Sequence, residues 1–227
     1  LATLDARLIA MDFATGKRCA DFGSHGEINL LAGIERLVDD WEFNVTSPPT
    51  VIGDIVVVGS SLADEVRRIQ PSGAVRGFDA ASGQLLWRFN TIPKPGEFGN
   101  ETWERNSASI HGGANVWSTI TADEQRGLVF LPVSTAGPDF IGVDRPGTNL
   151  FVDSVVALNA RTGERVWHFQ TTHHDLWDYD LAAPPILASV KHFGKEIDAV
   201  VQGTKTGFVF VLNRDTGAPL FPVEEKV

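Results

Sequence analysis

Residues 155–167, VVALNARTGERVW, contain the pattern that decides the fold, because it occurs four times along the 227-residue chain. In each copy an apolar stretch ends in Asp or Asn, and Thr or Ser followed by Gly comes three residues later. The copies are Asp12–Gly16, Asp79–Gly83, Asn159–Gly163 and Asn213–Gly217. Asp and Asn side chains cap tight turns, and Gly adopts the positive φ that closes them. The repeat therefore predicts four turns between antiparallel strands.

A tryptophan follows two of these turns. Trp87 and Trp167 lie four residues after Gly83 and Gly163, and each begins a stretch with the alternation of a half-buried strand. We expect each indole to pack between neighbouring repeats.

The remaining strand signals point to one fold class. Apolar, β-branched runs occur at 50–58, 127–133 and 199–203, and no long helical period interrupts them. The repeat glycines are 67, 80 and 54 residues apart, which is longer than a minimal four-stranded blade of roughly 40 to 50 residues. The sequence predicts an all-β protein, a β-propeller with loops inserted between its strands.

The chain is too short for a large ring. A propeller closes with four to eight blades, and this sequence contains about four repeats without a closing strand after the last one. We predict that residues 1–227 form a single partial propeller domain, completed by blades elsewhere in a longer chain.

Composition excludes several functions. The formal net charge is −10, so no basic patch for nucleic acid is expected. No apolar run approaches the roughly 20 residues that span a bilayer. One cysteine, Cys19, cannot form an internal disulfide and gives no indication of compartment.

The densest polar segment is 171–180, TTHHDLWDYD, directly after a predicted strand. It could be a solvated or capped loop in which His173 and His174 bond backbone carbonyls. It also brings together three carboxylates and two imidazoles. The chain lacks the common zinc motifs, the phosphate-binding loop, the dinucleotide fingerprint and the serine-hydrolase elbow.

Several motifs together resemble one family, the pyrroloquinoline quinone (PQQ)-dependent dehydrogenases. They are the Asp/Asn-x-x-Thr-Gly-x-x-x-Trp repeat, TSPP at 46–49, HHDLWD at 173–178 and KTG at 205–207. The resemblance covers essentially the whole chain and is strongest to the membrane-type quinoprotein glucose dehydrogenases, followed by the alcohol dehydrogenases. It implies an eight-bladed propeller, of which this chain supplies about four blades.

The resemblance implies roles for individual residues. Asp178 matches the general base that takes the proton of the substrate hydroxyl. Lys205 matches the basic residue that hydrogen-bonds the quinone oxygens and stabilises the negative charge that develops on them. Trp117 matches the tryptophan beneath the planar cofactor, and Thr46 a residue that bonds a cofactor carboxylate. Asn115, His111 and His174 are candidates for the pocket wall, without assigned roles.

The resemblance also implies a divalent cation, Ca²⁺ or Mg²⁺, which prefers oxygen ligands. Asp64 and Asp178 match its carboxylate ligands, with Glu65 as an alternative to Asp64. Thr135 fits the third ligand best, although one alignment places Gly137 there.

The function implied is a periplasmic dehydrogenase that oxidises a sugar or other polyol and passes electrons to a respiratory quinone or another acceptor. An anchor to the inner membrane, outside this chain, is left open. The alternative is a non-catalytic propeller that binds proteins as a scaffold in outer-membrane assembly. Because cofactor ligands from other blades are missing, we expect the isolated fragment to bind PQQ weakly and to show little turnover.

Overall fold

The computed structural model describes residues 1–64 and 66–225, and strands dominate this part of the chain. The strands are β1 (Arg7–Ile9), β2 (Glu27–Asn29), β3 (Phe43–Asn44), β4 (Thr50–Ile52), β5 (Ile55–Val58), β6 (Ser61–Leu62), β7 (Val75–Asp79), β8 (Leu85–Phe89), β9 (Gly112–Gly113), β10 (Thr121–Asp123), β11 (Leu128–Pro132), β12 (Ala136–Gly137), β13 (Ser154–Asn159), β14 (Arg165–Gln170), β15 (Ile186–His192), β16 (Lys195–Gly203) and β17 (Val209–Asn213). Short 3₁₀ helices span Asp40–Glu42, Asn100–Thr102 and Glu104–Ser109. Within the described ranges, no helix is long and apolar enough to cross a membrane.

The strands form antiparallel sheets that follow one another along the chain. Two sheets have four strands, in the orders β4-β5-β7-β8 and β10-β11-β13-β14. The sheet β15-β16-β17 follows them, and the pair β1-β2 precedes them. The short pairs β3-β6 and β9-β12 form two further two-stranded sheets. This succession agrees with the predicted blades.

The predicted turns are confirmed. The glycines at 16, 83, 163 and 217 all have φ between 66° and 75°. In each turn the Asp or Asn Oδ1 accepts the backbone N–H three residues on; the Asp79 Oδ1 to Ser82 N distance, for example, is 2.7 Å. One strand prediction is wrong. Residues 50–58 form a hairpin rather than a single strand, because Gly53 takes a φ of 55° and reverses the chain between β4 and β5.

The two repeat tryptophans join successive blades, as predicted. Trp87 is 7% exposed and its Nε1 donates to the Ala160 carbonyl at 2.9 Å, in the next repeat turn. A Cβ on Gly163 would lie 2.6 Å from this indole, so only glycine allows the approach. Trp167 packs in the same way against Gly217 and donates to the Arg214 carbonyl at 2.9 Å.

The largest apolar core lies between the two four-stranded sheets. It includes the inward-facing residues Val57, Val75, Val129, Leu131 and Val156, each almost fully buried. This packing fixes the strand ends, and with them the loops that carry the polar segments.

Candidate functional site

A cleft of about 220 Å³ lies where loops from three neighbouring sheets meet. It is lined by Ser61, Leu62, Asp64, Asn115, Trp117, Ser134, Thr135, Asp139, Asp178, Asp180 and Lys205. Five residues predicted from the sequence therefore share one cleft although the first and last of them are 141 residues apart: Asp64, Trp117, Thr135, Asp178 and Lys205.

The shape of loop 171–180 is set by Asp175 at its centre. The Asp175 carboxylate is buried and accepts the backbone N–H groups of Trp177 and Tyr179 at 2.9 and 2.8 Å. The fully buried Arg145 donates to the Asp175 carbonyl. Asp178 follows with a φ of 57°, in the left-handed region. The bonds made by Asp175 bend the loop so that Asp178 lies in the cleft.

The capped-loop interpretation, in which His173 and His174 bond backbone carbonyls, is correct for His174, whose ring bonds the Gly147 carbonyl. It is wrong for His173, whose ring contacts the Glu225 carboxylate.

Asp178 and Lys205 form an ion pair in the cleft. The Lys205 Nζ lies 2.9 Å from Asp178 Oδ2 and 3.2 Å from Asp180 Oδ2. Burial raises the pKa of Asp178; the hydrogen bond from Lys205 opposes this rise, and the nearby charge of Asp180 adds to it. Burial lowers the pKa of Lys205, but hydrogen bonds and charge from the two carboxylates outweigh it and leave that pKa raised. Without a bound cation, Asp178 is thus a stronger proton acceptor than an ordinary aspartate.

Asp180 is a site residue for which the sequence suggested no role. It is 8% exposed, and its carboxylate accepts hydrogen bonds from Trp117 Nε1 at 3.0 Å and from the Thr135 backbone N–H at 2.7 Å, besides Lys205. Its position in the polar segment 171–180, two residues after Asp178, was the available signal. The donors, 25 to 63 residues away in sequence, could not be read from that spacing.

The predicted cation ligands supply a suitable set of oxygens. Thr135 is 5% exposed, lines the cleft, and its Oγ1 has no hydrogen-bond partner in the described part of the chain. Asp64 and Asp178 contribute carboxylates to the same cleft. Among residues 1–64 and 66–225, no three His, Cys, Asp or Glu side chains are grouped to hold a metal ion, so a cation here would need the threonine hydroxyl as well. Oxygen ligands of this kind suit Ca²⁺ or Mg²⁺.

Gly137 and Glu65 are the alternatives to Thr135 and Asp64 as cation ligands. Gly137 is not among the residues that line the cleft. A Cβ at this position would lie 1.9 Å from Gln70 Oε1, so the glycine serves close packing instead. Glu65 lies outside the described residues.

Of four other residues that the resemblance placed at or near the pocket, one lines the cleft and three do not. Thr46 is not a lining residue; it is exposed and its hydroxyl donates to the Trp117 carbonyl at 3.3 Å. His111 is fully buried against the carbonyls of Gly137 and Asp144, away from the cleft.

His174 contacts the Gly147 carbonyl at 2.9 Å and also lies outside the cleft lining. Asn115 does line the cleft, but its amide already bonds the Ser60 carbonyl at 2.8 Å and the Ser134 hydroxyl at 3.2 Å.

Comparison with known proteins places this geometry in context. The whole chain, residues 1–227, matches the family model described as "PQQ: Glucose/ethanol/alcohol dehydrogenase, beta-propeller domain". The chain is 40% identical over 227 residues to quinoprotein glucose dehydrogenase A of Acinetobacter calcoaceticus, with 98% of this chain and 28% of that protein covered. It is 39% identical to the glycerol dehydrogenase large subunit of Gluconobacter oxydans (strain 621H), with 99% and 30% covered.

Solved structures agree. The quinohemoprotein alcohol dehydrogenase from Comamonas testosteroni superposes with a TM-score of 0.79 at 29% identity, covering 94% of this chain and 32% of that one. The predicted β-propeller class and family resemblance are therefore confirmed. The chain spans less than a third of the length of these relatives. The number of blades in the complete ring stays a prediction, as does the assignment of residues 1–227 to one partial propeller domain.

Proposed function

Because this chain belongs to the PQQ-dependent glucose, ethanol and alcohol dehydrogenase β-propeller family, we propose that the complete protein oxidises a sugar or polyol hydroxyl with PQQ as the oxidant. The observation that carries this proposal is the Asp178–Lys205 ion pair at 2.9 Å in the same cleft as Trp117. An acceptor for a proton, a cation for a developing negative charge and a flat indole are the three groups that such a reaction needs from the protein.

The residues present fit the cofactor and its cation. The half-buried Trp117 offers an indole in the cleft, and its ring is held through Nε1. The unpartnered Oγ1 of Thr135 is a buried oxygen that a cation would satisfy. We therefore propose that Asp64, Thr135 and Asp178 hold Ca²⁺ or Mg²⁺, and that Trp117 and Lys205 bind PQQ. We propose that Thr46, whose hydroxyl bonds the Trp117 carbonyl, contacts PQQ at the edge of the site.

In the proposed mechanism, PQQ supplies the acceptor of the hydride that leaves the substrate carbon. Asp178 takes the proton of the substrate hydroxyl on its carboxylate, so that proton and hydride together account for the two hydrogens lost. Lys205 holds a positive charge 2.9 Å from Asp178 Oδ2 and would donate a hydrogen bond to a quinone oxygen of bound PQQ, the group on which reduction places negative charge.

The substrate class follows from the relatives rather than from the cleft. Two of the most similar proteins are named for glucose and glycerol, both of which carry several hydroxyl groups. We propose a glucose-type sugar or polyol as substrate, a respiratory quinone or another carrier as electron acceptor, and the periplasm as location, with membrane anchorage outside this chain. The remaining walls of the cofactor pocket would come from further blades of the same protein.

The scaffold alternative is not favoured. It was based on the repeat, which non-catalytic propellers share. Relatives that match nearly the whole chain include glucose, glycerol and alcohol dehydrogenases, and the cleft brings Asp64, Trp117, Asp178 and Lys205 together.

The test is reconstitution of the complete protein with PQQ and excess Ca²⁺ or Mg²⁺, followed by dye reduction with glucose, glycerol and ethanol. We expect turnover with the sugar or the polyol, and a loss of about 10²- to 10⁴-fold in kcat for Asp178→Asn, as for other general bases. Asp12→Asn, in an exposed turn, serves as the control and should retain activity. A folded, PQQ-loaded protein that reduces no dye with any of these substrates would contradict the proposal.

A further inference from the structure

Asp180 sits where three segments of the cleft come together. One carboxylate oxygen, Oδ2, accepts the indole N–H of Trp117 at 3.0 Å and the ammonium of Lys205 at 3.2 Å. The other, Oδ1, accepts the backbone N–H of Thr135 at 2.7 Å. The side chain is 11% exposed, so these bonds are largely shielded from water.

The three donors belong to different parts of the fold. Trp117 follows β9, Thr135 lies in the short connection from β11 to β12, and Lys205 lies in the turn between β16 and β17. They are 63, 45 and 25 residues from Asp180 in sequence. A single side chain therefore connects the residues proposed as cofactor platform, cation ligand and quinone-binding cation.

The chemistry of this contact requires a carboxylate. Two oxygens that both accept can serve an N–H on each side, whereas a carboxamide has one oxygen and one NH₂ group. In Asp180→Asn the NH₂ would point either at the Thr135 N–H or at Trp117 and Lys205, and leave a donor facing a donor. The negative charge would also be lost beside the Lys205 ammonium.

Asp178, two residues earlier, is placed differently. Its side chain is 34% exposed, about three times as exposed as that of Asp180, and it accepts the same Lys205 ammonium. The exposed carboxylate is available to a ligand in the cleft, and the buried one is committed to protein donors.

We propose that Asp180 is a positioning residue that holds Trp117, Thr135 and Lys205 in the arrangement that binds PQQ and its cation, while Asp178 acts on the substrate. This inference rests on the proposed function and adds a residue to it. The carboxylate orients the indole through Nε1, fixes the backbone that carries the Thr135 hydroxyl, and restrains the Lys205 ammonium. Groups that orient ligands in this way typically contribute 10- to 100-fold to metal affinity or activity.

The first part of the test needs no cofactor. Hydrogen–deuterium exchange of the complete protein without PQQ is compared for the unsubstituted protein and Asp180→Asn. We expect faster exchange in 116–118, 133–136 and 204–207 together. Asp123→Asn is the matched control, because Asp123 is a 6%-exposed carboxylate that bonds Arg126 and Arg214 outside the cleft lining. It should leave those three segments unchanged.

The second part measures PQQ affinity by equilibrium dialysis at several Ca²⁺ concentrations. We expect Asp180→Asn to weaken PQQ binding about 10- to 100-fold and to raise the Ca²⁺ concentration for half-maximal binding, with no such change in Asp123→Asn. Unchanged exchange in the three segments would overturn the inference, as would unchanged PQQ and Ca²⁺ dependence. Absence of PQQ binding by the unsubstituted protein would instead contradict the proposed function itself.

Discussion

The turn at Asp79 and the cleft at Asp180 both depend on a carboxylate with several donors, but they obtain those donors in opposite ways. Asp79 Oδ1 accepts the N–H and the hydroxyl of Ser82, three residues away, at 2.7 and 2.6 Å. Asp180 accepts donors 25 to 63 residues away, from three loops. The turn depends only on neighbouring residues and can form before the blades pack. The cleft depends on contacts between loops and exists only after the blades have packed. Stability is thus distributed over local units, and the site depends on their assembly.

The largest effect is expected from removing a contact between blades. Trp87→Ala deletes a 93%-buried indole and its bond to the Ala160 carbonyl, and should lower the free energy of unfolding by about 3–5 kcal/mol. Denaturant unfolding of the complete protein measures this change. Trp41, which is 58% exposed, is the control, and Trp41→Ala should stay within about 0.5 kcal/mol. Similar losses for both variants would show that the indole does not join the blades.

The next effect separates backbone conformation from packing at a single repeat position. Gly163 has a φ of 71° and a Cβ there would lie 2.6 Å from the Trp87 indole, whereas Gly16 has a φ of 66° with open space around it. Gly163→Ala should therefore combine left-handed strain with overpacking, at about 2–4 kcal/mol in the free energy of unfolding. Gly16→Ala should show only the strain, about 1–2 kcal/mol. Equal losses at both positions would rule out the close approach of Trp87 as the cause.

The smallest effect concerns the loop that carries Asp64. Glu42 accepts two bonds from Arg67, at 2.8 and 2.7 Å, and these hydrogen bonds lower the pKa of Glu42 to about 2. Because the folded pKa is depressed from the ordinary 4.5, the stabilisation is complete above about pH 4.5 and is lost as pH falls towards 2.

We expect a contribution on the order of 1–2 kcal/mol at neutral pH. Urea unfolding at pH 7, 4 and 3 should show Glu42→Gln less stable than the unsubstituted protein at pH 7, with the difference shrinking as the pH falls. A difference that stays constant with pH would show that the Glu42 charge is not involved.

Whether a feature could be predicted from the sequence depends on how far apart along the chain its interacting residues lie. The four turns and the strand alternation depend on residues within a few positions of one another, so they were predicted correctly. Trp87 and Trp167 were identified by their fixed spacing after each turn, although the carbonyls they bond lie 73 and 47 residues further along the chain. The split of 50–58 into a hairpin was missed, although Gly53 followed by Asp54 was an available turn signal.

The site was predictable mainly through the family resemblance. It pointed to Asp64, Trp117, Thr135, Asp178 and Lys205, which the structure brings into one cleft. Contacts within the cleft depend on how blades pack, and no spacing in the sequence encodes them. Thr46, His111 and His174 lie outside the cleft lining, and their contacts likewise depend on packing between distant segments.

Asp180 was overlooked for the same reason. Its proposed role depends on hydrogen bonds from Trp117, Thr135 and Lys205, which are 25 to 63 residues away in the sequence. The residues next to Asp180 do not indicate these donors.

The most direct test of the central claim is a structure of the complete protein with PQQ and Ca²⁺. We predict that the planar cofactor stacks on the Trp117 indole, that Lys205 contacts a quinone oxygen, and that Ca²⁺ lies about 2.3–2.6 Å from oxygens of Asp64, Thr135 and Asp178. Density for PQQ elsewhere on the protein, or a cation bound without these three residues, would contradict the account.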